Sequence, residues 1–204
     1  ATKFPTYFVR HPHKVAWVMH QYRAAYELCG GPYSEFTHAE AHVGLRDTLV
    51  RLDREMLSEC VRVFTNAQNT ANRLAKYNGL PATALYPPSP YTGRLRPGAY
   101  GDYVLSVGRV EAIKRPDLLV RAMQYVDPGL RLIVAGAGSA LEETRRLAVS
   151  LGVDGRIDFP GAVDDDQLLR LYSEAMAVVY TPFDEDFGYV TVEAFLSRKP
   201  VVTV

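Results

Sequence analysis

Three short stretches carry residues whose types and spacing suit them to hold an anion or a sugar. In the first, Gly108-Arg109-Val110-Glu111-Ala112-Ile113-Lys114, a glycine frees the backbone and two cations follow, five residues apart. Arg offers a planar fork and Lys a point charge, a pair suited to a diphosphate. At ~4 Å and an effective dielectric of ~20, each such contact gives about 4 kcal/mol of gross attraction. The plainer reading is a loop of solvated charges with Glu111 as an internal partner. The second stretch, Gly136-Ala137-Gly138-Ser139-Ala140-Leu141, follows a strand-like run and opens a helix-like one. It is half of a dinucleotide fingerprint, with Leu141 at the third glycine position and Asp158 about 20 residues on to serve a ribose. A tight strand-to-helix turn explains the same residues.

The third stretch runs from Thr181 through Glu185, Asp186, Phe187 and Gly188 into a helix that holds Glu193. Backbone N–H groups at a helix start suit an anion, although acids there also serve as dipole compensation. Glu193 sits beside Val190, Val192 and Phe195, so its carboxylate is expected to be either exposed or specifically partnered. Seven residues separate Glu185 from Glu193, a spacing that presents both to a ligand lying across the helix terminus. Other candidates read more plainly. His38 and His42 are four apart with Glu40 between, which is HxExH and not the zinc-protease HExxH. They read as solvated or partly packed. Asp164-Asp165-Asp166 reads as a helix start, and Trp17 as core packing within a strand.

Regular elements must position these residues. Lys14–His20 reads as a strand, Gln21 to about Cys29 as a helix broken at Gly30-Gly31-Pro32, and about Glu40 to Cys60 as a helix. Arg62–Thr65 reads as a strand, with Asn66 capping a helix that ends at Asn78-Gly79, and Ala82–Tyr86 as a further strand. Residues 87–101 hold four prolines and three glycines, too many for a regular element. Beyond them strands at Tyr103–Val107, Leu132–Ala135, Ile157–Phe159, Ala177–Tyr180 and Val201–Val204 alternate with helices. These helices are read at Pro116–Val126, about Ala140–Leu151, from Asp164 or Asp165 through the stripe Leu168, Leu171, Tyr172, Ala175 and Met176, and at Gly188–Leu196. Such alternation implies an α/β fold with a parallel sheet covered on both faces.

Composition bounds the function. The chain has 204 residues with 23 Lys+Arg against 23 Asp+Glu, so a generic polyanion binder is excluded and no nucleic acid is expected. With 48% hydrophobic residues there is ample core material. No apolar run reaches the ~18–20 residues that span a bilayer, and no signal-peptide core opens the chain. Cys29 and Cys60 form no CxxC, which favours a reducing, cytoplasmic setting. Both ends read as cut, which points to a fragment of a longer protein.

The runs SVGRVEAIKRPDLLVRAM, RLIVAGAG and DEDFGYVTVEAFLSRKPVVTV, in that order, resemble a family 4 retaining glycosyltransferase with a GT-B fold. The match covers roughly residues 102–204. More weakly, VAWVMHQYRAAYEL and RVFTNAQNTANRLAKYNGLPATALYPP resemble parts of that family's amino-terminal domain. The resemblance implies a remnant of the acceptor-side α/β domain at 1–90, a linker at 91–101, and an incomplete Rossmann-like donor-binding domain at 102–204. It implies sugar transfer from a UDP- or GDP-sugar, with retention, to a glycan, lipid-linked or small-molecule acceptor, as in polysaccharide biosynthesis. Arg109 and Lys114, beside Gly108, would hold and stabilise the leaving diphosphate. Glu185, with the backbone of Phe187 and Gly188, would hold sugar hydroxyls, and Glu193 the ribose. His20 would lie near the transferred sugar across the cleft. No cofactor and no metal are implied, since the two cations do that work. Asp186 departs from the glycine frequent at its position and must point away from the diphosphate. The other readings are a dinucleotide-binding oxidoreductase and a non-catalytic nucleotide-sugar-binding fragment. Peripheral association of the intact protein with the inner face of a membrane stays open.

Overall fold

The computed structural model describes residues 2–204. They form two compact units, one running to Pro87 and the other from Pro88 to Val204.

In the first unit β1 (Val15–Val18), β2 (Arg62–Thr65) and β3 (Thr83–Ala84) form a parallel sheet in that order. Alternation along β1 sends Ala16 and Val18 into a core shared with Tyr7, Met56, Leu57 and Leu74. Trp17 therefore faces the other way. It is half-buried, and its indole N–H donates to Leu85 O at 3.1 Å, so the expected core tryptophan is not one. The helices are α1 (Glu40–Ser58) and α2 (Gln68–Asn78). Gly79 ends α2 with φ +65°, returning its N–H to Ala75 O at 3.2 Å. Two further expectations fail locally. Asn66 does not cap α2; Ala67 takes that place, and Asn66 Oδ1 accepts instead from the Thr70 hydroxyl at 2.8 Å. The helix expected over Gln21–Cys29 shrinks to a 3-10 turn at Arg23–Ala25. Ala24, Ala25 and Tyr26 are buried in succession, which one face of a surface helix does not allow.

The second unit contains β4 (Tyr103–Val107), α3 (Pro116–Ala122), β5 (Arg131–Ala135), α4 (Leu141–Ser150), β6 (Ile157–Gly161), α5 (Asp165–Glu174), β7 (Ala177–Tyr180), α6 (Tyr189–Leu196) and β8 (Val201–Thr203). Its five strands are parallel in the order β6-β5-β4-β7-β8. Leu132, Ile133, Val134 and Ala135 are all buried, because helices cover both faces. Leu132 and Val134 pack with Leu119 and Val120 of α3 and Ala148 of α4. Ile133 and Ala135 pack on the other face with Tyr172 of α5 and Ala194 of α6. Asp164 caps α5, accepting the Gln167 N–H at 2.8 Å. α3 stops four residues short of its expected end at Val126. Arg156 donates to the carbonyls of Met123 and Asp127, at the turn that follows.

Residues 85–102 carry turns but no helix or strand. From Pro88 on they lie along the second unit. Leu95 is buried in the α5/α6 core, and the N–H groups of Gly98 and Gly101 donate to Ser173 O and Glu174 O at 3.0 and 2.6 Å.

Candidate functional site

The direction of winding reverses between β4 and β7, and in open parallel sheets a crevice forms beyond the strand ends at such a point. A cavity of about 210 Å³ lies there, lined by Gly108, Arg109, Lys114, Tyr180, Thr181 and Glu185 among others.

Backbone packing builds its first wall. The loop after β4 is bound to the loop after β5 by Gly108 N–H to Ala135 O (3.1 Å), Val110 N–H to Ala137 O (3.0 Å) and Ala140 N–H to Val110 O (3.0 Å). The approach is too close for side chains. A Cβ on Gly136 would lie 1.8 Å from Gly108 O, and one on Gly138 would lie 2.2 Å from Val110 O. Gly136 and Gly138 are thus committed to joining two loops. Asp158 pairs with Arg131 at the start of β5, the end of the sheet away from the cavity. The geometry gives the dinucleotide reading no support.

Beyond Gly108 the chain makes a 3-10 turn at Ala112–Lys114 and enters α3 through Pro116. Glu111 does not pair with either cation. Its carboxylate accepts from the Ser139 hydroxyl and N–H, and these bonds, with the Arg109 charge, hold it below the usual carboxylate range. Arg109 is exposed, and no hydrogen bond or ion pair holds its guanidinium among the described residues.

The second wall is the loop from Thr181 to Gly188. Phe183 N–H donates to Ile113 O at 2.8 Å, tying this loop to the turn that carries Lys114. Lys114 Nζ meets Glu185 Oε2, and the Tyr180 hydroxyl donates to the same oxygen at 2.7 Å. The ammonium also lies 5.9 Å from the centre of the Tyr180 ring. Burial, then the Glu185 carboxylate, hold the Tyr180 phenol well above its usual range, so it stays a donor. The Thr181 hydroxyl oxygen is buried at the cavity wall and finds no hydrogen-bond partner among the described residues.

Of the residues singled out from sequence, Gly108, Arg109, Lys114, Glu185 and Phe187 line this cavity. Gly188 and Glu193 do not. Gly188 is the N-cap of α6, where a Cβ would lie 2.5 Å from Tyr180 Cε1. Glu193, inside α6, is only 6% exposed and specifically partnered. Its Oε1 accepts from the Ser89 hydroxyl at 3.0 Å and its Oε2 from the Tyr172 hydroxyl at 2.8 Å. His20, in the first unit, is exposed just beyond β1; its Nδ1 lies 2.7 Å from Gln21 O, so that nitrogen carries the proton and Nε2 is the basic one. Tyr180 and Tyr189 line the cavity without having been singled out, and Thr181 only as the start of its stretch. Tyr180 was findable, since it ends an apolar strand at the edge where ligands bind. Ser89 gave no signal within its proline-rich stretch.

Among the described residues no group of three His, Cys, Asp or Glu side chains converges as a metal site. His42 is taken up locally, its Nδ1 accepting the Thr37 N–H at 3.0 Å. Asp165 and Asp166 face Arg94, with Asp165 Oδ2 2.8 Å from it. Among the described residues no helix is long and apolar enough to cross a membrane.

The family described as glycosyl transferases group 1 matches residues 99–204, the part that contains the cavity. The chain belongs to that family. D-inositol 3-phosphate glycosyltransferase of Mycobacteroides abscessus is 30% identical over 169 residues, covering 74% of this chain and 38% of the relative. The protein of the same name from Actinosynnema mirum is 34% identical over 176 residues, covering 74% and 42%. The chain thus spans about two fifths of the length of these group 1 relatives. Among solved structures, Anabaena HepE in complex with UDP and glucose superposes with TM-score 0.65 at 22% identity, over 76% of this chain and 48% of that one. Sucrose-phosphate synthase from Thermosynechococcus elongatus gives 0.67 at 23%, over 77% and 44%. The α/β architecture with parallel sheets is that of GT-B glycosyltransferases.

Proposed function

We propose that the second unit is the donor site of a glycosyltransferase that takes a sugar from a UDP- or GDP-sugar and passes it, with retention, to an acceptor hydroxyl. One observation carries this reading. Arg109, which no ion pair holds among the described residues, and Lys114, paired with Glu185, line one cavity at the sheet's switch point. Breaking the bond between sugar and diphosphate puts negative charge on phosphate oxygens, and fixed cations stabilise it. Arg109 and Lys114 take that role, with no metal required. Glu185 and the backbone at Phe187 and Gly188 then hold sugar hydroxyls, for which a carboxylate supplies acceptors. Glu193 serves the ribose once a ligand hydroxyl takes the place of Ser89. For His20 a sugar-side role rests on the family resemblance alone. The names of the relatives and the UDP and glucose bound by HepE support the substrate class.

Thermal unfolding of the 204-residue protein with UDP, GDP and NAD tests the reading. A nucleoside diphosphate at 100 times its Kd adds about 2.7 kcal/mol, a rise of several degrees. Stabilisation by UDP or GDP, with none by NAD, is expected. Stabilisation by NAD alone, or by none of the three, sinks the proposal.

A further inference from the structure

We infer that Tyr180 is the positioning residue that keeps Glu185 facing the cavity when Lys114 turns to a diphosphate, and so governs how firmly the sugar of a nucleotide-sugar is held. The inference rests on the roles proposed above for Lys114 and Glu185.

Both donors to Glu185 use Oε2. Oε1 has no hydrogen-bond partner among the described residues, which leaves it as the acceptor for a ligand hydroxyl. The two donors are unlike. Lys114 is a flexible cation, drawn away by a ligand carrying more negative charge than one carboxylate. Its departure would leave Glu185 unpaired beside a diphosphate, and repulsion would turn the carboxylate out of the cavity. The phenol is neutral and has no such second task. It also stands on a rigid element. Tyr180 is the last residue of β7, in register with Thr203 of β8, and its ring abuts the backbone of Gly188, where no Cβ fits. Its pull on Glu185 therefore persists in both states of Lys114. Burial keeps the phenol protonated, so the hydrogen bond does not titrate away near neutrality.

Calorimetric titration of wild type, Tyr180→Phe and Glu185→Gln with UDP, GDP, UDP-glucose, UDP-N-acetylglucosamine and GDP-mannose tests this. The readout is the ratio of affinities for a nucleotide-sugar and its own nucleoside diphosphate. Tyr180→Phe keeps the ring and so the packing on Gly188. It is expected to bind the nucleoside diphosphate within about twofold of wild type and the nucleotide-sugar about tenfold more weakly, the size of one hydrogen bond to a charged group. A merely structural loss would weaken both ligands together and would overturn the inference. If Glu185→Gln lowers the ratio and Tyr180→Phe does not, Tyr180 is no positioning residue although the role of Glu185 stands. If neither lowers it, the role of Glu185 falls, and this inference with it.

Discussion

The first unit and the second each hold a carboxylate against a tyrosine, and the two differ in what else holds it. Asp53 of α1 is fully buried, and both its oxygens accept from phenols, Tyr7 at 2.7 Å and Tyr26 at 2.6 Å. Asn78 extends the network, donating to the Tyr26 oxygen at 3.3 Å and to Val50 O at 3.1 Å. Among the described residues no cation pairs with Asp53, and the donors come from the 3-10 turn at Thr6–Phe8, the residue after Ala25, and the last turn of α2. Such a network ties separated elements together, and each Asp53 oxygen is already taken by a phenol. Glu185 is partly exposed, is held by one phenol and one displaceable cation, and keeps an oxygen open. Glu193 falls between them, buried like Asp53 and with two neutral donors, yet on the helix that starts at the cavity. A carboxylate locked by neutral donors serves the fold, whereas one balanced against a cation with a second task can serve a ligand.

The largest expected effect lies at Asp53. Asp53→Ala orphans two buried phenols at ~1–3 kcal/mol each, so a loss of roughly 2–5 kcal/mol is expected by urea unfolding. A loss below ~1 kcal/mol would remove the contrast with Glu185. The pH dependence sharpens it. Burial raises the Asp53 carboxyl above its usual range against the opposing pull of Tyr26 and Tyr7. The folded protein then keeps this proton to higher pH than the unfolded chain does. The contribution favours folding below the unfolded value of ~4 and is lost as pH rises through the folded value. Asp53→Asn has no such titration. The wild-type advantage over Asp53→Asn is therefore expected to be widest in acid and to shrink toward neutrality, and unfolding free energies across that range would show a constant gap if the idea is wrong.

Glu193 decides on which side of the comparison it belongs. Glu193→Ala frees the Tyr172 and Ser89 hydroxyls, of which the Tyr172 phenol is deeply buried, and ~2–3 kcal/mol of stability should go. Glu193→Gln keeps an acceptor and most of the packing. If it weakens UDP or GDP binding while the unfolding midpoint holds, the residue serves a ligand as well as the fold. If stability falls and nucleotide affinity does not, Glu193 belongs with Asp53.

These distinctions were unevenly legible in the sequence. The alternation from Tyr103 to Val201 was readable because each strand and helix declares itself within about ten residues. Arg109, Lys114 and Glu185 were joined as a group by the family resemblance, with which their places after strands of one parallel sheet agree. What each carboxylate touches was not. Lys114 and Glu185 lie 71 residues apart, and Ser89 and Glu193 lie 104 apart. Partner choice over such distances depends on which face each loop presents after packing. The failures over Gln21–Cys29 and at Trp17 share that origin. Local propensity and alternation were present, but packing on several sides overrode the first and a neighbouring carbonyl claimed the second.

The smallest effect is expected at Glu185 itself. Removing it by Glu185→Ala leaves Lys114 and the Tyr180 hydroxyl at a cavity wall where both residues are partly exposed, so neither is orphaned as the partners of Asp53 would be. The side chains of Lys114 and Glu185 are 26% and 24% exposed, and a pair of this kind contributes little. The unfolding free energy should change by less than ~1 kcal/mol in either direction, measured under the conditions used for Asp53→Ala. A gain in stability would be informative, because a carboxylate kept in place at a cost to the fold is one retained for what it binds. A loss as large as that of Asp53→Ala would mean that the cavity wall depends on this ion pair, and that the two tyrosine-held carboxylates do the same work.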